Sequence, residues 1–257
     1  VILSLVNPVA ETFINDADIT KIYYEISDNL IDKDFGIIKM SSYGTTDVKK
    51  KQALEEKYTN VVMPYNVVKT LYPMCRNSSF KITVTMIKKE YNWLITKVES
   101  GNTSKNHYGL AVDLGSTTII MQLVDLNNGQ VIAEESTFNK QIKYGEDILS
   151  RIFYTKQYED GLKEIQNSTI ESFKELIDKL ENKTNIEIKS CGIMTVAGNT
   201  TMMHFLLGIN PWTIFQSPFT PVFNEGGFIK GKEIGIPIDG YVYCFPSIAN
   251  YFGGDLV

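Results

Sequence analysis

One short stretch constrains this chain more than any other: Asp113-Leu114-Gly115-Ser116-Thr117-Thr118, set between two apolar runs. Residues 108–112 read as a strand entering it and residues 118–124 as a strand leaving it, so the segment between them must reverse the backbone almost at once. Gly115 lets the chain turn tightly and approach a ligand closely. The backbone N–H groups and hydroxyls of Ser116, Thr117 and Thr118 are donors suited to phosphate oxygens. Asp113, at the end of the first strand, is placed to hold Mg²⁺ through water. Phosphoryl chemistry is chiefly positioning and charge neutralisation, which such a clasp supplies. A plain hairpin with a β-turn draws on the same residue types, so the rest of the chain has to decide.

Two further loops repeat the pattern. Residues 186–196 read as a buried strand that ends in Ala197-Gly198-Asn199-Thr200-Thr201, with a helix opening at Met202. A helix start offers unpaired N–H groups and a positive dipole end, a natural seat for phosphate. The alternative is that Asn199 or Thr200 serves only as an N-cap, and the two roles are compatible. Gly253-Gly254-Asp255 again follows a strand, residues 241–245, and precedes a helix start. Asp255 there is a candidate to orient an attacking water, or else a cap.

The surrounding elements set the architecture. A polar segment, Gly101-Asn102-Thr103-Ser104-Lys105-Asn106, divides the chain. Before it, residues 1–101 form a small α+β domain. Its expected elements are a helix over 17–30 capped by Asn15 or Asp16, and a helix over 64–72 with Val67, Val68 and Leu71 on one face. A strand over 80–87 then pairs with one over 93–98. Residues 107–257 continue with a third strand over 131–138 beyond the Asn127-Asn128-Gly129 hairpin turn. Helices follow from Tyr144-Gly145-Glu146-Asp147 to about Lys156 and over 168–181. Three antiparallel strands followed by helix-alternated strands describe an α/β, ribonuclease-H-like first subdomain of an actin-like ATPase.

Composition excludes several other classes. A net charge of −5 and a pI near 5.2 argue against nucleic acid or an anionic membrane as partner. Cys75, Cys191 and Cys244 are far apart, without metal-ligand spacing, and suit a reducing cytoplasmic setting. The chain has only two histidines. His204, among Met202, Met203 and Phe205, reads as a core histidine. The proline- and aromatic-rich stretches at Pro211-Trp212 and Pro218–Phe223 read as core anchors. No apolar run reaches the length of a membrane span.

Five stretches in the same order resemble the reductive activators of corrinoid-dependent enzymes: 109–118, 141–152, 195–204 followed by Leu206-Leu207-Gly208, 218–223 and 246–255. Residues before the linker resemble the family's middle domain more weakly, through Lys81-Ile82-Thr83-Val84-Thr85. The resemblance implies an ATP-binding actin-like domain that restores Co(I) on a corrinoid protein or corrinoid methyltransferase. The electron would come from a [2Fe-2S] cluster in a ferredoxin-type N-terminal domain. It further implies Asp113 and Asp255 in catalysis, with ATP and Mg²⁺ as cofactors. Gly115, Ser116, Thr117, Thr118, Gly198, Asn199, Thr200, Thr201, Gly253 and Gly254 would bind nucleotide, and a homodimer is the expected assembly. The chain has no four-cysteine cluster motif, begins at Val1 and ends in a glycine turn. The cluster domain is therefore expected upstream and the second ATP subdomain downstream, this piece alone being inactive.

Three other readings compete. One is a small-molecule kinase of the same superfamily, and a second is a nucleotide-dependent binding module of the chaperone or filament type. The third is a docking scaffold that needs no ATP.

Overall fold

The computed structural model describes residues 19–25, 31–32, 37–38, 58, 60–79, 81–89 and 91–247. The described residues divide into two units, one within 19–107 and the other 108–247.

In the first unit, β1 (Ile19–Glu25), β2 (Val61–Val62), β3 (Lys81–Lys89) and β4 (Asn92–Ser100) form a sheet in the order β1-β3-β4-β2. The expected helix over 17–30 is corrected here: β1 is a strand, antiparallel to β3 from Ile19 opposite Ile87 to Glu25 opposite Lys81. Ile19-Thr20-Lys21-Ile22-Tyr23-Tyr24 is rich in β-branched and aromatic residues, and an available sheet edge settles such a segment as strand. The rest of 17–30, and the Asn15 or Asp16 cap, lie outside the described residues. The hairpin β3–β4 forms as expected, with Lys89 opposite Asn92. Helix α1 (Tyr65–Asn77) buries Val67, Leu71 and Cys75, while Val68 turns outward. These residues close a core with Ile82, Val84, Met86, Ile95 and Val98. The linker is tied back by Thr83, whose hydroxyl donates to Gly101 O at 2.7 Å and accepts from Thr103 N at 2.9 Å.

In the second unit, the hairpin strands β5 (Tyr108–Leu114), β6 (Thr118–Asp125) and β7 (Gln130–Phe138) are antiparallel. A 3-10 turn at Lys140–Tyr144 leads to α2 (Ile148–Gln157) and the long α3 (Gly161–Thr184). Asp147 caps α2 at the helix start expected there, its side chain accepting from Ser150 N at 2.7 Å. Helix α3 starts about two turns before the expected position at 168, because Ile165 continues the buried stripe of Phe173, Leu176, Ile177 and Leu180. It ends at Asn185 in the left-handed region.

The strand expected over 186–196 begins only at Ile193. Residues Ile188–Ser190 form a 3-10 turn instead, anchored where Ile188 N donates to Glu181 Oε1 at 2.8 Å. Then come β8 (Ile193–Gly198), α4 (Thr200–Leu207), α5 (Trp212–Phe215), β9 (Gly227–Lys230) and β10 (Tyr241–Cys244). Strand β9 has no counterpart in the sequence reading.

The sheet order is β9-β10-β8-β5-β6-β7. β8 runs parallel to β5, β10 parallel to β8, and β9 antiparallel to β10. This is a ribonuclease-H-like sheet with one extra edge strand. Its core joins Val112, Leu114, Ile119 and Met121 to Phe173, Leu176, Met194, Val196 and Phe205. Burying side chains of this size supplies about 1.5–3 kcal/mol each. Among the described residues no helix is long and apolar enough to cross a membrane.

Candidate functional site

Strands β5 and β8 are parallel neighbours with Ala197 opposite Asp113 and Gly198 opposite Leu114. The loops that follow them therefore leave the sheet side by side, at the carboxyl ends of the strands. In open α/β sheets that edge, where connections diverge, is where ligands bind. Two separately predicted segments, Gly115–Thr118 and Gly198–Thr201, are thereby brought together by one pairing register.

Sterics explain both glycines. A Cβ on Gly115 would meet the Thr118 carbonyl oxygen at 2.4 Å, so no larger residue closes this turn. A Cβ on Gly198 would lie 2.9 Å from Leu114 O and 3.2 Å from Leu114 Cβ, so its absence lets β8 lie against the end of β5. Asp113 is buried, at 5% exposure, one residue before the end of β5. Ser116 is half-buried, and Thr117 and Thr118 are exposed.

Asn199 is the N-cap of α4, its side chain accepting from Met202 N at 3.0 Å. Thr200 and Thr201 are buried, and the Thr201 hydroxyl has no hydrogen-bond partner. A ligand at the helix start would find both the cap and the dipole end. Gly253, Gly254 and Asp255 lie outside the described residues.

The structure adds a residue that the sequence did not single out. Asn139, fully buried after β7, donates from its backbone N–H to Thr117 O at 2.8 Å and from Nδ2 to Gly115 O at 2.9 Å. Its Oδ1 accepts from Gln141 N at 3.0 Å. One asparagine thus fixes two of the three carbonyls of the β5–β6 turn. Its only local signal is a polar residue just past a strand, which any turn shows.

His204 is a core histidine, as its neighbours suggested. A carbonyl only accepts, so the 2.7 Å contact to Thr200 O places the proton on Nδ1. Nε2 is then free to accept from Val222 N at 3.2 Å, and the ring lies 4.7 Å from Phe223. Burial pushes its pKa down against the pull of the Thr200 hydrogen bond. Core anchoring in the Pro218–Phe223 stretch holds for Phe223 only: Phe219 and Val222 are 56% and 59% exposed. Val222 carries the N–H that His204 accepts, and Phe219 sits at φ +59°, in the left-handed region.

Metal and cluster chemistry can be tested against these residues. Among the described residues no three His, Cys, Asp or Glu side chains gather as a ligand set. A Mg²⁺ ion that keeps its waters and takes phosphate oxygens needs only one or two carboxylates, and Asp113 fits that demand. Cys75, Cys191 and Cys244 are separately buried, and burial pushes the Cys244 thiol up to about 12. They do not fit an iron–sulfur cluster, which takes four thiolates.

Fold and loops together define an actin-like α/β subdomain with paired loops at its sheet edge. A family model described as the RACo middle region matches residues 108–257, and the chain belongs to that family. The match begins at β5. The corrinoid activation enzyme RamQ of Eubacterium limosum is 31% identical over 166 residues, 64% of this chain and 28% of RamQ. The solved structure of a reductive activator for a corrinoid, iron-sulfur protein superposes with a TM-score of 0.81 at 30% identity, covering 93% of this chain and 37% of that one. The chain therefore spans well under half the length of either relative.

Proposed function

We propose that this chain is part of an ATP-dependent reductive activator that restores Co(I) in a corrinoid protein or corrinoid methyltransferase. The observation that carries the reading is the pairing of β5 with β8, which sets two glycine-bearing loops side by side in a member of the RACo middle region family. The names of the two relatives support a corrinoid protein as partner. In this reading Ser116, Thr117 and Thr118 donate to nucleotide phosphates from one loop, and Gly198, Asn199, Thr200 and Thr201 line the other. Asp113 holds a Mg²⁺ water. Asp255, with Gly253 and Gly254, serves the γ-phosphate side. The electron comes from a [2Fe-2S] domain outside this chain, and dispersed, buried cysteines suit a reducing cytoplasm.

ATP can do work here only if the nucleotide-bound state binds the Co(II) partner differently from the Co(I) partner. A cleft that closes on nucleotide is a suitable two-state element. The test mixes the protein, extended at both ends, with ATP, a reductant and a Co(II) corrinoid protein, and follows the visible spectrum. Co(I) that forms only with ATP, and not in Asp113→Ala, supports the proposal. ATP turnover with a small metabolite and no Co(I) with any corrinoid partner would replace it by the kinase reading.

A further inference from the structure

Behind the two loops lies a buried cation whose partners are all neutral. Arg151, on α2, is fully buried and is the largest side chain so enclosed among the described residues. Its Nε donates to Gly145 O at 2.9 Å and its Nη1 to Gln141 Oε1 at 3.1 Å. Nη1 also lies 3.9 Å from Met202 Sδ, and Nη2 is buried without a hydrogen-bond partner. Among the described residues Arg151 makes no ion pair. The acidic group that acts on it is Asp147, one turn earlier on the exposed cap of the same helix. Arginine stays charged in proteins, and a buried charge that an exposed carboxylate only partly offsets costs several kcal/mol. Natural chains keep such a group where something else supplies the opposite sign.

The neighbours of Arg151 lead to one place. Met202 Sδ lies 3.9 Å from Nδ2 of Asn139, which holds Gly115 O, and Met202 N is the group capped by Asn199. Gln141, bonded to Arg151, is held by its own N–H to Asn139 and by its amide to Thr169 Oγ1 at 2.6 Å. The guanidinium is thus one side chain, Met202, from the β8–α4 loop and two, Met202 or Gln141 and then Asn139, from the β5–β6 loop.

We propose that Arg151 is a positioning residue whose buried positive charge is balanced by the polyphosphate of a nucleotide held at the β5–β6 and β8–α4 loops, making affinity rise with ligand charge. This rests on the nucleotide reading above. By linkage, whatever the bound anion does for Arg151, the arginine does for the anion.

The test measures ATP, ADP, AMP and pyrophosphate affinities of the protein, extended at both ends, for the wild type, Arg151→Met and Arg151→Lys. Arg151→Met is expected to weaken ATP and pyrophosphate about tenfold, the order of one charge acting through a layer of protein, and AMP much less. Arg151→Lys keeps the charge but loses the fork, and is expected to keep the preference for the more charged ligand. Should Arg151→Met not fold, Arg151→Lys decides alone. Equal losses across the ligand series, or loss of the preference in Arg151→Lys, would overturn the proposal while leaving nucleotide binding intact. A wild type that binds none of the four overturns the nucleotide reading itself, and this inference with it.

Discussion

Replacing Asn139 with alanine isolates the device that shapes the β5–β6 turn. The side chain is fully buried and satisfies two groups: Gly115 O, which accepts at 2.9 Å, and Gln141 N, which donates at 3.0 Å. Alanine leaves both without a partner. A buried group so orphaned costs about 1–3 kcal/mol and the part-buried Gly115 O less, so the expected loss is about 2–4 kcal/mol, a large share of the 5–15 kcal/mol typical of a domain. Asn128→Ala is the control. Asn128 also accepts a backbone N–H, from Gln130 at 2.9 Å, but it is exposed. Water replaces it, and the change should stay within about 0.5 kcal/mol.

The assay is urea unfolding in a Trp93→Phe background. The chain has two tryptophans, so Trp212 then reports on the second unit alone. A cost for Asn139→Ala no greater than for Asn128→Ala would refute the argument that this buried network holds the turn.

Other outcomes follow from the same geometry. Gly198→Ala puts a methyl 2.9 Å from Leu114 O, a backbone atom that cannot swing away, and should cost about 1–3 kcal/mol by urea unfolding. His204 has a depressed folded pKa, so its contribution is complete above its ordinary value of about 6.5 and is lost as pH falls from there through the folded value. His204→Gln should flatten the fall in melting temperature between about pH 7 and 5. Lys179, then Thr137 and Lys140, hold the Glu175 carboxyl down to about 2 from its ordinary 4.5. Stability from Glu175 is therefore present above 4.5 and lost on acidification toward about 2. Glu175→Gln should blunt acid unfolding in that window, modestly, because the pair is partly exposed.

Much of the candidate site was legible because its signals are local. Asp-x-Gly followed by Ser and Thr between two apolar runs can close only as a tight turn, and Gly-Asn-Thr-Thr after a buried strand can only leave the sheet into a helix. The hairpins β3–β4 and β5–β6–β7 were legible for the same reason: alternation and turn residues lie within a few positions of each other. What misled was apolar spacing without long-range context. Residues 17–30 carry a spacing compatible with a helix, but β3 offered Ile19–Glu25 an edge to pair with. Ile186 and Ile188 look like a strand, yet Glu181 draws the latter into a 3-10 turn.

By itself, then, the sequence determined the class of fold, the two loops and their glycines, because turn geometry and side-chain period are properties of neighbouring residues. Only the tertiary structure decided that these loops lie side by side, that Asn139 holds one of them and that Arg151 is buried behind both. Those facts depend on strand register and on which polar groups lose water together, and both arise from residues far apart in the chain.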